Sequence, residues 1–80
     1  MGQLDAALTH AEQGLQIARE LHNPLREAQR LWILGFIYRA QGNVTQARTA
    51  LQQAIVLFEQ VKSPEAAKVR SQLAAWEKEA

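Results

Sequence analysis

The sequence predicts an all-α fold, four antiparallel helices stacked in chain order as a helical repeat array. Three observations carry this. The chain repeats itself at a separation of 40 positions, with Gly2 and Gly42, Ala7 and Ala47, Thr9 and Thr49, Gln13 and Gln53, Pro24 and Pro64, and Arg30 and Arg70 in register. A period of this length marks stacked supersecondary units that bury their apolar faces only against one another. Apolar residues recur at the spacing of one helix face, and no stretch alternates with the period of a strand. Asn23-Pro24, Ser63-Pro64 and Gly42 punctuate the chain where helices should start or stop.

Each element follows in order. The first helix is expected over about residues 4–21, where Leu4, Ala7, Leu8, Ala11, Leu15 and Ala18 share one face and Gly14 and Ile17 widen it. The second, over about 24–41, opens with Asn23 as cap and Pro24 at the first helical position. It stops at Gly42, which tolerates a left-handed backbone. Leu31, Trp32, Ile33, Leu34, Phe36, Ile37 and Tyr38 make it apolar almost all round. Such a helix is buried on several sides, so it is placed centrally, between the first and third. The third, over about 44–61, turns Ala47, Leu51, Ala54, Ile55 and Phe58 inward. The fourth, over about 64–79, repeats the cap-and-proline device but carries only a thin stripe, Val69, Leu73 and Trp76, as a terminal helix should. Short connections make neighbours antiparallel hairpins. The whole reads as one domain, 1–80, in two periods, 2–41 and 42–80.

Composition narrows the function. A hydrophobic share of 48% is sufficient for a packed core and incompatible with a disordered chain. The net charge is +1, with lysines and arginines scattered among glutamates. This argues against a nucleic-acid or anionic-membrane surface, which needs a basic stripe. The absence of cysteine excludes disulfides and thiolate metal sites and fits a reducing compartment such as the cytoplasm. No signal peptide is visible, and the apolar run from Leu31 to Tyr38 is far too short to span a bilayer.

The run Leu31, Leu34, Gly35, Tyr38, followed by Gly42, Ala47, Leu51 and Ala54, resembles the tetratricopeptide repeat (TPR). In that family a large apolar residue, leucine-glycine and tyrosine occupy the first helix of a repeat. Glycine follows at the turn, then alanine, a large apolar residue and alanine in the second. Small residues at Gly35, Ala47 and Ala54 fit a close approach of two helix backbones. The likeness covers one full repeat, about residues 28–61. Ala7 and Gly14 match a preceding second helix. The fourth helix departs from the pattern, with Ser71, Ala74-Ala75 and Lys78 where apolar residue, leucine-glycine and tyrosine belong. The 40-residue period is longer than the family's usual one and looks like the variety found in bacterial signalling proteins and regulators. The resemblance implies a fragment of a right-handed superhelix. It also implies either a piece of a larger array or an array completed by self-association, as a homodimer or swapped oligomer.

The family binds extended or helical peptides on the concave surface lined by the first helix of each repeat. Carried onto this chain, those positions are Gln29, Trp32, Phe36 and Arg39 in the second helix and Val69, Gln72, Trp76 and Glu79 in the fourth. Aromatics beside an arginine are the types that dominate interface hot spots. Two placements are open for Trp32, Phe36 and Trp76: an exposed groove or a homo-oligomer contact on one side, ordinary core on the other. Arg19, Arg26, Arg30, Arg39, Arg48 and Arg70 are interleaved with glutamates and read mainly as solvated ion pairs. Arg39 differs in sharing the Trp32 and Phe36 stripe. His10 and His22 lie about 18 Å apart along one helix and cannot share a metal. With no nucleophile elbow, paired carboxylates or glycine-rich phosphate loop, neither catalytic residues, metal nor cofactor is expected. The functional expectation is a non-enzymatic module with a protein or peptide partner. A self-associating structural module and part of the sensor region of a bacterial regulator are the alternatives.

Overall fold

The computed structural model describes residues Gly2–Glu79; Met1 and Ala80, the two ends of the expected 1–80 domain, lie outside the described residues. Four helices follow one another: α1 (Gly2–Glu20), α2 (Pro24–Ala40), α3 (Val44–Gln60) and α4 (Glu65–Glu79). No strand occurs among the described residues. Each helix packs on the next, with α2 against both α1 and α3 as its apolar character requires. The result is a slab of 32 × 29 × 15 Å, thin enough that both broad faces stay open.

The three turns are built alike. The amide of Asn23 donates to the Ala18 carbonyl (2.9 Å), Asn43 to Tyr38 (2.8 Å) and Ser63 to Phe58 (2.8 Å). One residue earlier, His22 donates to Arg19, Gly42 to Arg39 and Lys62 to Glu59. Nested bonds of this kind form the Schellman motif, which satisfies the last carbonyls of a helix and places one residue in the left-handed region. That residue is His22 (φ 52°), Gly42 (φ 84°) or Lys62 (φ 57°). Only the middle turn uses glycine, so sequence punctuation reveals one of the three stops. The starts agree more closely. Asn23 caps α2, its Oδ1 accepting from the Arg26 amide at 3.1 Å. Ser63 Oγ accepts from the Glu65 amide at 3.2 Å, and α4 begins there, one residue beyond the expected Pro64, which stays in the turn.

The core runs along the α2–α3 contact. Leu31, Leu34, Ala50, Leu51, Ala54 and Phe58 are buried, joined by Ala11 and Leu15 from α1 and by Ala66 and Val69 from α4. A Cβ built on Gly35 would lie 2.7 Å from Leu51 Cδ2 and 3.4 Å from the Ala47 carbonyl oxygen. The glycine is therefore what lets the two helices touch. Phe58 meets Trp32 edge to face at 5.9 Å.

One expectation about the core needs correction. Ile17 does not extend the buried stripe of α1; it is 55% exposed, because the neighbours of α1 lie on its Ala11, Leu15 and Ala18 side. The second helix is buried on several sides as expected, with Ile33 and Phe36 each 43% exposed. Helices α1 and α3 cover two sides of α2, leaving these residues on the uncovered arcs.

Candidate functional site

The residues expected to face a partner come from α2 and α4, which are separated in the chain by all of α3. Helical spacing sets Gln29, Trp32, Phe36 and Arg39 along one side of α2 and Val69, Gln72, Trp76 and Glu79 along one side of α4. Because α2 and α4 both pack on α3, these two rows are brought side by side. Direct contacts then join them. Phe36 meets Trp76 edge to face at 5.5 Å and 84°. The Arg39 guanidinium stands over the Trp76 ring, 4.7 Å from its centroid, and also forms an ion pair with Glu79. An arginine so placed is held by the ring quadrupole and a carboxylate together, which fixes its otherwise mobile side chain.

Burial grades this row. Phe36 is exposed, while Gln29, Trp32, Arg39, Gln72 and Trp76 are partly buried. Val69 exposes 0% of its surface. Its expected contact with a partner is corrected accordingly: a residue with no exposed surface meets no partner while the core is closed, and it supports the face from beneath. The choice between groove and core thus divides residue by residue. Trp32 leans inward on Phe58, and its indole Nε1 is buried with no hydrogen-bond partner. Phe36 presents open apolar surface, and Trp76 lies between the two in character.

The opposite broad face differs. Its groove between α1 and α3 sets apolar Leu15, Leu31, Leu34 and Ala50 beside polar Arg19, Thr45, Gln46, Thr49 and Gln53, with Tyr38 as its aromatic side chain. The ion pairs expected of the arginines form in three cases: Arg19–Glu27 at 3.2 Å, Arg39–Glu79 and Arg70–Glu59. Arg26, Arg30 and Arg48 have no carboxylate partner among the described residues. Sequence reasoning placed Arg48 among the solvated arginines and Leu73 in the apolar stripe of the fourth helix and gave Val44 no site role, yet all three line a pocket with Arg39, Trp76 and Glu79 at one end of the α2–α4 face. The whole lining comes from three helices, so no spacing rule along one helix collects it. Among the described residues there is no cluster of three or more metal-ligating side chains and no helix long and apolar enough to cross a membrane.

Comparison with known proteins agrees with this architecture. A family profile described as tetratricopeptide repeat matches residues 1–55, which takes in α1, α2 and most of α3. The match stops short of α4, the helix whose sequence departs from the repeat pattern. No curated protein and no solved structure matches the chain. With more than half its length matched by the profile and its helices stacked as successive hairpins, the chain belongs to the tetratricopeptide repeat family.

Proposed function

We propose that the α2–α4 face is the partner-binding surface of a non-enzymatic protein–protein interaction module, taking a peptide segment or partner helix against Gln29, Trp32, Phe36, Arg39, Gln72 and Trp76. The observation that carries this is the Phe36–Trp76–Arg39 cluster. It joins two helices, leaves Phe36 43% exposed, and combines aromatic area with a guanidinium already held in place. Such a surface loses little side-chain freedom on binding, so its apolar area contributes efficiently to affinity. Gln29 and Gln72 supply flanking donors and acceptors that orient a backbone. Recognition then rests on shape and apolar complementarity.

The test is selection of binders from a displayed peptide library, followed by titration read through the emission of Trp32 and Trp76. Phe36→Ala and Arg39→Ala should each weaken the selected peptides about tenfold or more, in line with hot-spot residues. Binding that ignores both substitutions and leaves the emission unchanged would place the partner elsewhere. Absolute mass by light scattering across a concentration range addresses the same face. A dimer abolished by Phe36→Ala would mean that a second copy, and not a different partner, occupies it.

A further inference from the structure

A second surface lies away from the α2–α4 face, on the side of α1 and α2 that neither α3 nor α4 covers. Its floor is Gly14 and Ala18, one wall is Ile17 of α1 and Leu21 of the turn that follows it, and the other is Arg26 and Arg30 of α2. Ile17 and Leu21 are 55% and 68% exposed, the two largest values among the large apolar side chains of the described residues. The floor is shaped by glycine: a Cβ at position 14 would stand 2.7 Å from Arg30 Nε and 2.9 Å from its Cδ. The missing side chain therefore lets the far end of Arg30, its Cδ, Nε and Cζ atoms, lie against α1 at Gly14, which brings the guanidinium beside the apolar strip.

The charge pattern of this groove is one-sided. Arg19, Arg39 and Arg70 are each matched to a glutamate, but Arg26 and Arg30 are not. No carboxylate lines the groove. An apolar strip edged on one side by two uncompensated guanidiniums is complementary to a particular object, a helix with an apolar stripe bordered by glutamates or aspartates. A basic or neutral helix would bury the same apolar surface but leave the arginines without partners or set them against like charge.

We propose that the α1–α2 groove formed by Gly14, Ile17, Leu21, Arg26 and Arg30 docks an acidic amphipathic helix. The apolar wall supplies most of the affinity, and the two arginines select sign and fix register. This surface is separate from the Phe36–Trp76 face, so the two sites stand or fall independently.

The probe is a pair of fluorescein-labelled helical peptides with the same leucine stripe, flanked in one by glutamates and in the other by lysines. Fluorescence anisotropy with the unmodified chain should show the glutamate peptide binding about tenfold or more tighter, with the preference shrinking as salt is raised. In Arg26→Glu/Arg30→Glu the preference should reverse, and Ile17→Ser/Leu21→Ser should abolish binding of both peptides. Circular dichroism of each variant confirms that the helices are intact. Because Trp32 and Trp76 lie outside the groove, their emission should stay unshifted as the peptide binds. Equal binding of the two peptides, or none, overturns the proposal. So does binding that shifts the tryptophan emission, since the peptide would then sit on the other face. A chain dimer lost in Ile17→Ser/Leu21→Ser would also overturn it, by naming a second copy as the occupant.

Discussion

Gly14 and Gly35 each sit inside a helix, yet the same substitution should act on them with opposite sign. Replacing a mid-helix glycine by alanine removes backbone freedom from the unfolded chain and contributes about 1 kcal/mol. Against this stands whatever the new methyl meets. At Gly35 it would lie 2.7 Å from Leu51 Cδ2 and 3.2 Å from its Cγ, where carbon atoms rest at about 3.5–4.0 Å. Leu51 is wholly buried at the α2–α3 contact and cannot swing out into solvent, and the Ala47 carbonyl oxygen lies 3.4 Å from the same methyl, so the helices must part. Overpacking of this kind costs about 1–3 kcal/mol, which leaves Gly35→Ala destabilising by about 1 kcal/mol. At Gly14 the methyl would meet the Nε, Cδ and Cζ atoms of Arg30, the far end of a flexible side chain at the rim of an open groove. Moving it costs about as much as changing one rotamer, and Gly14→Ala should stabilise by about 0.5 kcal/mol. Urea unfolding followed by far-UV circular dichroism measures both. Leu51→Val supplies the internal check. It should cost less in the Gly35→Ala background than alone, with a coupling of about 0.5 kcal/mol or more between the two contacting residues. If Gly35→Ala raises the urea midpoint as Gly14→Ala does, helix propensity and not close packing decides at this site, and the account of the α2–α3 contact is wrong.

Lys62→Gly should raise the thermal midpoint. It relieves a left-handed residue costing about 1–2 kcal/mol, offset by about 0.5–1 kcal/mol of glycine entropy. The gain of roughly 0.5–1 kcal/mol corresponds to a few degrees in calorimetry for a domain this small. Asn23→Ala removes the acceptor of the Arg26 amide and should cost about 1 kcal/mol in urea unfolding, whereas Asn43→Ala, at a cap whose side chain accepts from no helix amide, should cost measurably less. Phe58→Leu keeps an apolar residue in a site of 0% exposure but loses the edge-to-face contact with Trp32. A loss of about 1.5 kcal/mol is expected, with a change in Trp32 emission at unchanged helix content. Arg39→Gln should alter stability by less than about 1 kcal/mol, because its ion pair with Glu79 is exposed to solvent and screened by salt.

The number and order of the helices and the cap at Asn23 were legible in the sequence because they depend on local signals. A 3.6-residue apolar period, an asparagine before proline and a repeat of 40 positions each act within a few turns of chain. The small residues Gly35, Ala47 and Ala54 were legible for the same reason, since backbone contact between adjacent helices of a hairpin leaves little choice of residue. What tertiary structure alone decided was the status of individual side chains. Ile17, Ile33 and Phe36 look as apolar as Leu15, Leu34 and Ile37, and their separation into exposed and buried depends on which arcs of α1 and α2 have neighbours. The left-handed turns at His22 and Lys62 carry no glycine to mark them, because nested hydrogen bonds to carbonyls three and five residues back hold that backbone against the residue's own preference. The stripe of candidate binding residues could be named from the resemblance, but not its division. Val69 closes the core, Trp32 leans on Phe58, and Phe36 with Trp76 and Arg39 remains as the open platform, because α3 holds α2 and α4 at a separation that only the folded array sets.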